Sequence, residues 1–300
     1  MTLSRKPGTL YVVATPIGNL GDISQRAIQV LTDVDLIASE DTRHTGKLLR
    51  HLGIGTPLTS YYREREQHKA ALLLHRLHAG EDIALVSDAG TPGISDPGSV
   101  LVRLARENNI PVTAVPGPSA LTAALSTAGL TGSSFYFGGF PPARQEARRK
   151  YLASLVALPC PLLFYESPHR IGKCLADCLQ VLGDRSALLF RELTKLHEEC
   201  LQGSLSQLVR RCEQRIRGEL VLIIHPAAET VQERPEDLDG LIRWYRDEAG
   251  SSLKDAVRRI SSDLGVSRSR VYQQALVIWN ECGQPAQQPE DGHDKSGQSC

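Results

Sequence analysis

Ile83 to Ser99 reads IALVSDAGTPGISDPGS, and its two halves obey different rules. The four apolar residues Ile83 to Val86 run without polar alternation, which predicts a short strand buried on both faces. From Ser87 onward, Asp88, Ala89, Gly90, Thr91, Pro92, Gly93, Ile94 and Ser95 suit neither strand nor helix. Asp96 then offers an N-cap and Pro97 a first helical residue, so an amphipathic helix is expected over 99–108. A loop of this length inside a compact domain is more often functional than incidental. In an open parallel sheet, ligands sit where the chain leaves the carboxyl ends of the strands. Glycines let the backbone approach such a ligand, and Asp88 places a carboxylate at the loop's mouth.

The same strand-then-turn pattern recurs on both sides. Residues 9–14 (TLYVVA) end in Thr15-Pro16-Ile17-Gly18-Asn19, with helical spacing over 22–31. Residues 35–39 deliver Glu40-Asp41-Thr42-Arg43-His44 into a helix over 42–52 that closes at Gly53. A third strand over 56–60 precedes a charged helix over 64–78. A fifth, over 112–115, runs through Pro116-Gly117-Pro118-Ser119-Ala120 into a small-residue helix over 121–128. Strands alternating with helices predict a doubly wound parallel α/β domain over 1–130.

Residues 131–226 read as a second, α+β domain. Strands are expected over 135–137, 162–165, 187–190 and 220–224. Helices are expected over 144–158, from Pro168 with Ser167 as its cap, and over 204–215. The polar stretch 227–235 reads as a linker. Residues 236–282 form a helical segment in which 252–264, Gly265-Val266 and 267–279 have helix-turn-helix form, with Ala256, Ile260 and Leu264 facing Val266, Val271 and Ala275. Arg268 and Arg270 give its second helix a basic edge that Asp263 and Glu281 dilute, which serves either nucleic-acid contact or a packing or dimer-forming role. Residues 283–300, rich in Gln, Pro, Gly and Asp, read as a disordered tail.

The totals restrict function without naming it. With 34 basic and 34 acidic residues the chain has no net charge, so any nucleic-acid contact must come from local patches. Seven cysteines without CxxC pairs point to a reducing, cytoplasmic setting, and Cys174 with Cys178 fits helix packing better than metal binding. No metal site is expected: His75 and His78, one turn apart, lack supporting carboxylates. No apolar run reaches membrane-spanning length, and the amino end is too polar for a signal peptide.

The turn after the first strand is where a dinucleotide-binding domain would carry GxGxxG, but Thr15 to Gly21 has the wrong glycine spacing and a donor-less proline. No GxxxxGK[ST] occurs either. A nucleotide-type fold without phosphate grips suits an adenosine cofactor that lacks phosphate, and S-adenosyl-L-methionine is the obvious one. The set TPIGNL, EDTRHTG, VSDAGTP, FYES-x-HR and RELTK, spread over residues 10–224, resembles the tetrapyrrole (corrin and porphyrin) methylase superfamily. That resemblance implies two α/β domains with a cleft between them, followed here by the C-terminal helical segment. Within the superfamily, the motifs resemble a branch that acts as a homodimer and methylates the ribose 2′-oxygen of a cytidine in the decoding region of 16S rRNA within the small ribosomal subunit.

By the resemblance, the donor would lie against Pro16, Gly18, Ser87, Asp88, Ala89, Gly90, Thr91, Ile94, Ser95, Ser119 and Ala120. Tyr165, Leu193, Gly218 and Glu219 would approach from the second domain. A ribose hydroxyl is a poor nucleophile, and a base within hydrogen-bond reach would help. Asp41 and Glu166 are the first candidates, with His44, His169 and Lys195 behind them. Asp41 could equally cap the helix at Thr42, and Glu166 could pair with Arg170. For RNA the candidates are Arg43, then Arg63, Arg65 and Lys69, and the basic helix carrying Arg144, Arg148, Arg149 and Lys150. Two rival readings remain at this level: a methyltransferase of a tetrapyrrole precursor, and a non-enzymatic RNA-binding or assembly factor.

Overall fold

The computed structural model describes residues 6–63, 66–130, 132, 134–212, 216–227 and 237–280. Expectations for Arg65, the 131–134 junction at Thr131 and Ser133, the linker from 228 and the tail fall outside the described residues. Two compact units result, one holding both sheets and the other the last three helices.

The first sheet contains β1 (Leu10–Val13), β2 (Leu36–Ser39), β3 (Leu58–Ser60), β4 (Ile83–Val86) and β5 (Val112–Val115). All pair in parallel, in the order β3-β2-β4-β1-β5. The apolar run 83–86 is buried on both sides, as its lack of alternation requires. Ile83 and Leu85 join Leu10, Leu36 and Ala38 against α3 (Glu66–His78) and α4 (Ser99–Glu107). Ala84 and Val86 join Val13, Ile37 and Val115 on the opposite face, against α1 (Gln25–Asp33) and α2 (Thr42–Leu52). Helix α5 (Ala120–Thr127) follows β5. One boundary differs from expectation: Gly98, not Asp96, holds the cap position of α4, and no side chain caps it. Asp96 instead stays in the loop, beside Ser87.

The second sheet contains β6 (Tyr136–Phe137), β7 (Leu162–Glu166), β8 (Ser186–Arg191), β9 (Glu199–Ser204) and β10 (Leu220–Ile224), in the order β6-β7-β10-β8-β9. Only β6 with β7 is parallel. Strand β9 was not expected, because ECLQGS is an edge strand that buries little and so carries no apolar alternation. Helices α6 (Gln145–Ala153), α7 (Ile171–Leu182) and α8 (Leu205–Arg211) cover one face, where Leu152, Cys174, Cys178 and Leu205 bury against Leu162, Phe164 and Leu222. Helix α7 starts at Ile171 rather than Pro168, since the Ser167 carbonyl closes a turn by accepting from the Arg170 and Ile171 amides. Ser204 caps α8 through a reciprocal capping box with Gln207.

The other face of this sheet joins the two halves. Leu163, Phe190, Val221 and Ile223 cluster with Ile17 from the β1 exit and Ala124 from α5. The strand ends of the first sheet therefore meet the apolar face of the second.

The separate unit comprises α9 (Leu238–Asp247), α10 (Leu253–Leu264) and α11 (Arg268–Asn280), with Gly265 in the left-handed conformation between the last two. Ile242, Tyr245, Ala256, Ile260, Val271 and Ala275 form its core. Leu264 is exposed, contrary to the expected facing set. No described helix is long and apolar enough to cross a membrane.

Candidate active site

The exits of β2, β4, β1 and β5 stand side by side because those strands are neighbours. Short bonds tie them together. Thr15 and Gly90 exchange backbone hydrogen bonds of 2.9 and 3.0 Å, linking the β1 and β4 exits. The Asp88 carboxylate accepts from the Asp41 amide at 2.9 Å, linking β4 to β2. Thr91 Oγ1 donates to the Pro118 carbonyl at 3.2 Å, linking β4 to β5. Across the seam, the Tyr165 hydroxyl accepts from the Leu121 amide at 3.0 Å, and Asn19 N–H donates to Thr194 Oγ1 at 3.2 Å.

These ties enclose a cavity of about 320 Å³, within the range of small-molecule sites. From the first half come Ile17, Ala89, Gly90, Thr91, Ile94, Ser95, Asp96, Ser119 and Ala120; from the second come Phe140, Tyr165, Glu166, Ser167, Pro168, Leu193, Glu219, Leu220 and Val221. Asp96, Glu166 and Glu219 are acidic, and among the described residues no lysine, arginine or histidine lines the wall. Such a cavity favours a cation and opposes phosphate or polycarboxylate.

Glu166 is buried at 2% exposure. Its Oε1 accepts from the Ser167 amide at 2.8 Å and lies 3.2 Å from Arg170 Nε. Its Oε2 has no hydrogen-bond partner, and neither does the buried Ser95 Oγ. Both atoms belong to residues of the cavity wall, and a buried polar atom without a partner is what a bound polar molecule would satisfy. Burial pushes the Asp96 carboxyl above the usual 3.8, assisted by the nearby charges of Asp88 and Glu219 and opposed by Ser87 and Arg63. The donor set fits S-adenosylmethionine: carboxylates for its positive groups, and apolar Ile17, Leu193 and Val221 for a flat base.

At the rim, Lys195 Nζ donates to Glu192 Oε1 at 2.8 Å and to Glu219 Oε2 at 3.1 Å. Burial works against the Lys195 charge, but these bonds outweigh it and raise its pKa above the ordinary value. Lys195 is therefore a pinned cation rather than a base. Glu192 and Thr194 hold left-handed backbone at φ 52° and 66°, a strain typical of functional loops.

Of the residues expected to hold the donor, Ala89, Gly90, Thr91, Ile94, Ser95, Ser119, Ala120, Tyr165, Leu193 and Glu219 line the cavity. Pro16, Gly18, Ser87, Asp88 and Gly218 do not. Gly18 instead lets the second half close: a Cβ there would come 2.3 Å from Lys195 Cγ. Gly218, at φ 97°, makes room for Glu192, whose carboxyl would lie 2.5 Å from a Cβ. Ile17, Asp96, Phe140, the pair Ser167-Pro168 and the pair Leu220-Val221 were missed as wall residues. Asp96 and Ser167 were each read as helix caps, and the cavity takes both instead.

The two candidate bases part company. Asp41 is off the cavity wall; it caps α2 by accepting from the Arg43 amide and pairs with the Arg43 guanidinium at 2.9 Å. The Arg43 side-chain bond, then its amide, lower the Asp41 carboxyl to about 2, which makes it a weak base. Glu166 remains.

The basic helix also divides. Arg148 is buried at 3% exposure, with Nε 2.8 Å from Asp177 Oδ2 and Nη1 donating to the Pro142 and Ala143 carbonyls. This corrects the expectation that Arg148 faces RNA: its guanidinium is spent inside the fold. Arg149 shares Asp177, with Nε 2.7 Å from Oδ1. Arg43, Arg144 and Lys150 are exposed. Among the described residues, no group of three or more His, Cys, Asp or Glu side chains could hold a metal ion.

Residues 9–209 match the family model of tetrapyrrole (corrin/porphyrin) methylases. A protein of Escherichia coli O157:H7 named ribosomal RNA small subunit methyltransferase I is 46% identical, over 90% of this chain and 95% of its own. A protein of the same name from Xylella fastidiosa is 52% identical over 74% of this chain and 83% of its own. Among solved structures, a diphthine synthase superimposes with a TM-score of 0.60 at 15% identity, covering 73% of this chain and 90% of that one. A uroporphyrin-III C-methyl transferase from Thermus thermophilus, complexed with S-adenyl homocysteine, gives 0.53 at 18% identity, covering 73% and 97%.

Proposed function

The chain belongs to the tetrapyrrole (corrin/porphyrin) methylase family, and from that premise we propose that it methylates ribosomal RNA of the small subunit, with S-adenosylmethionine as donor. The observation that carries this reading is the cavity between the two sheets, which is acidic, has no basic side chain on its wall among the described residues, and includes two wall residues, Ser95 and Glu166, that each hold an unpaired buried polar atom. When bound, the donor supplies a methyl group already activated on a sulfonium.

The chain's own residues do the rest. Ile17, Leu193 and Val221 give an apolar bed, while Ser95 Oγ, Asp96 and Glu219 supply the polar contacts. Most of the rate then comes from holding acceptor and donor in line. Arg170 holds Glu166 through Oε1, so Oε2, which has no hydrogen-bond partner, is left to accept the proton of an incoming hydroxyl. Phe140, 53% exposed and edge-on to Tyr165 at 5.7 Å, offers an aromatic surface at the rim on which a nucleobase can rest. Its loop is clamped from behind, since the Arg148 and Arg170 guanidinium groups donate to the carbonyls of Pro141, Pro142 and Ala143. Exposed Arg43, Arg144 and Lys150 would meet phosphates.

In full, the reading is a cytoplasmic homodimer whose acceptor is the ribose 2′-oxygen of a cytidine in 16S rRNA of the small ribosomal subunit. The test is transfer of labelled methyl groups to subunits from a methylation-deficient strain, with porphyrin precursors alongside, followed by digestion to nucleosides. Label in 2′-O-methylcytidine is expected; label only in the tetrapyrrole, or in none, would overturn the reading. Glu166→Gln should lower the transfer rate by about 10²-fold or more, with donor affinity measured by calorimetry changing far less.

A further inference from the structure

The C-terminal helical unit carries a second hollow of about 460 Å³, lined by Lys254, Val257, Arg258, Arg268, Ser269, Tyr272 and Gln273. It lies between α10 and α11 and shares no residue with the donor cavity. Among the described residues, three on its wall are cations and none is acidic. Helices α10 and α11 together carry Lys254, Arg258, Arg259, Arg268 and Arg270 against only Asp255 and Asp263. Arg258 is tied to Asp255 at 3.1 Å, and both side chains remain about half exposed or more. Lys254, Arg268 and Arg270 stand exposed and have no ion pair among the described residues.

The other wall residues sharpen the chemistry. Ser269 and Gln273 bring a hydroxyl and an amide, and Tyr272 brings an aromatic ring 46% exposed. Cations around a hollow that also presents a ring and neutral donors suit a phosphodiester chain with an unpaired base, whereas an apolar helix or an acidic peptide would leave part of the wall unused. We propose that this hollow binds the phosphate backbone of the RNA substrate, so that the helical unit anchors RNA independently of the methyl-transfer cavity. The identification of RNA as the substrate rests on the functional reading above.

The experiment uses the full chain with Lys254→Ala and Arg268→Ala combined, and a charge-keeping control with Lys254→Arg and Arg268→Lys. Binding to unmethylated small subunits and to protein-free 16S rRNA is followed as salt is varied. Losing two phosphate contacts should weaken both complexes about tenfold and flatten the dependence of log affinity on log salt by roughly 1.5. The control should restore affinity, and S-adenosylmethionine affinity should stay at the wild-type value. Unchanged affinity and slope would overturn the proposal. So would weakening confined to intact subunits, which would place a ribosomal protein in the hollow. Because binding is read without methyl transfer, a wild-type chain that grips RNA but transfers no label would sink the functional reading and leave this one standing.

Discussion

Helix α6 and the pair α10–α11 both look like nucleic-acid surfaces in the sequence, with arginines and lysines close together. In α6 the arginine at the centre of the run turns inward, where Arg148 and half-exposed Arg149 share Asp177 from α7. In α10 and α11 the cations border an open hollow and their helices bury Ala256, Ile260, Val271 and Ala275 instead. Arg148 occupies the core-facing stripe of α6 together with Leu152, one turn on. Lys254, Arg258 and Arg268 flank buried positions without occupying them. Charge in a helix thus says little about partners until its phase against the apolar stripe is known.

The largest effect that could break this comparison is Arg148→Ala. Removing one partner of a buried, hydrogen-bonded pair strands the Asp177 carboxylate, and we expect a loss of about 3–5 kcal/mol in denaturant unfolding of the sheet-bearing unit. A loss within about 0.5 kcal/mol, like that of an ordinary surface change, would return Arg148 to the list of RNA contacts.

Acid should reveal the same pair. Burial alone would raise Asp177, but the hydrogen bonds from Arg149 and Arg148 outweigh it and hold the carboxyl below 3.8. A depressed carboxylate stabilises the fold fully above its unfolded value and loses that contribution as pH falls through the folded one. Stability of the wild-type chain should therefore drop more steeply below about pH 4 than that of Asp177→Asn. Parallel acid profiles for the two proteins would refute the assignment.

Arg144→Ala with Lys150→Ala tests the exposed remainder of α6. Unfolding should shift by less than about 0.5 kcal/mol, while subunit binding weakens a few-fold and with a shallower salt dependence. The smallest effect is expected at Asp41→Asn. Asparagine caps a helix as well as aspartate does, so stability should change by only a few tenths of a kcal/mol, roughly, and the methyl-transfer rate should not change. A rate loss matching that of Glu166→Gln would restore Asp41 as the base.

Much of the architecture was legible because buried parallel strands announce themselves. The runs at 83–86 and 112–115 match β4 and β5, and the helix over 42–52 matches α2, with Asp41 before it and Gly53 after. Ten of the donor residues implied by the motif resemblance line the cavity. What stayed hidden depends on partners far along the chain. Asp177 lies 29 residues from Arg148, and no local rule links them. Asp96 has the chemistry of a cap, yet tertiary packing turns it into the loop and leaves Gly98 to start the helix. Phe140 reads as one more aromatic near prolines until the loop is seen clamped at the cavity rim. Strand β9 carries its signal in backbone pairing with β8 rather than in side chains.

The account stands on the cavity between the two sheets as the seat of the methyl donor. A crystal structure of the full chain with S-adenosylhomocysteine tests that most directly. Density for the ligand should lie against Ala89 to Thr91, Ser119, Tyr165 and Leu193, with its charged end near Asp96 or Glu219. Density elsewhere on the molecule, with the cavity holding only solvent at saturating ligand, would contradict it.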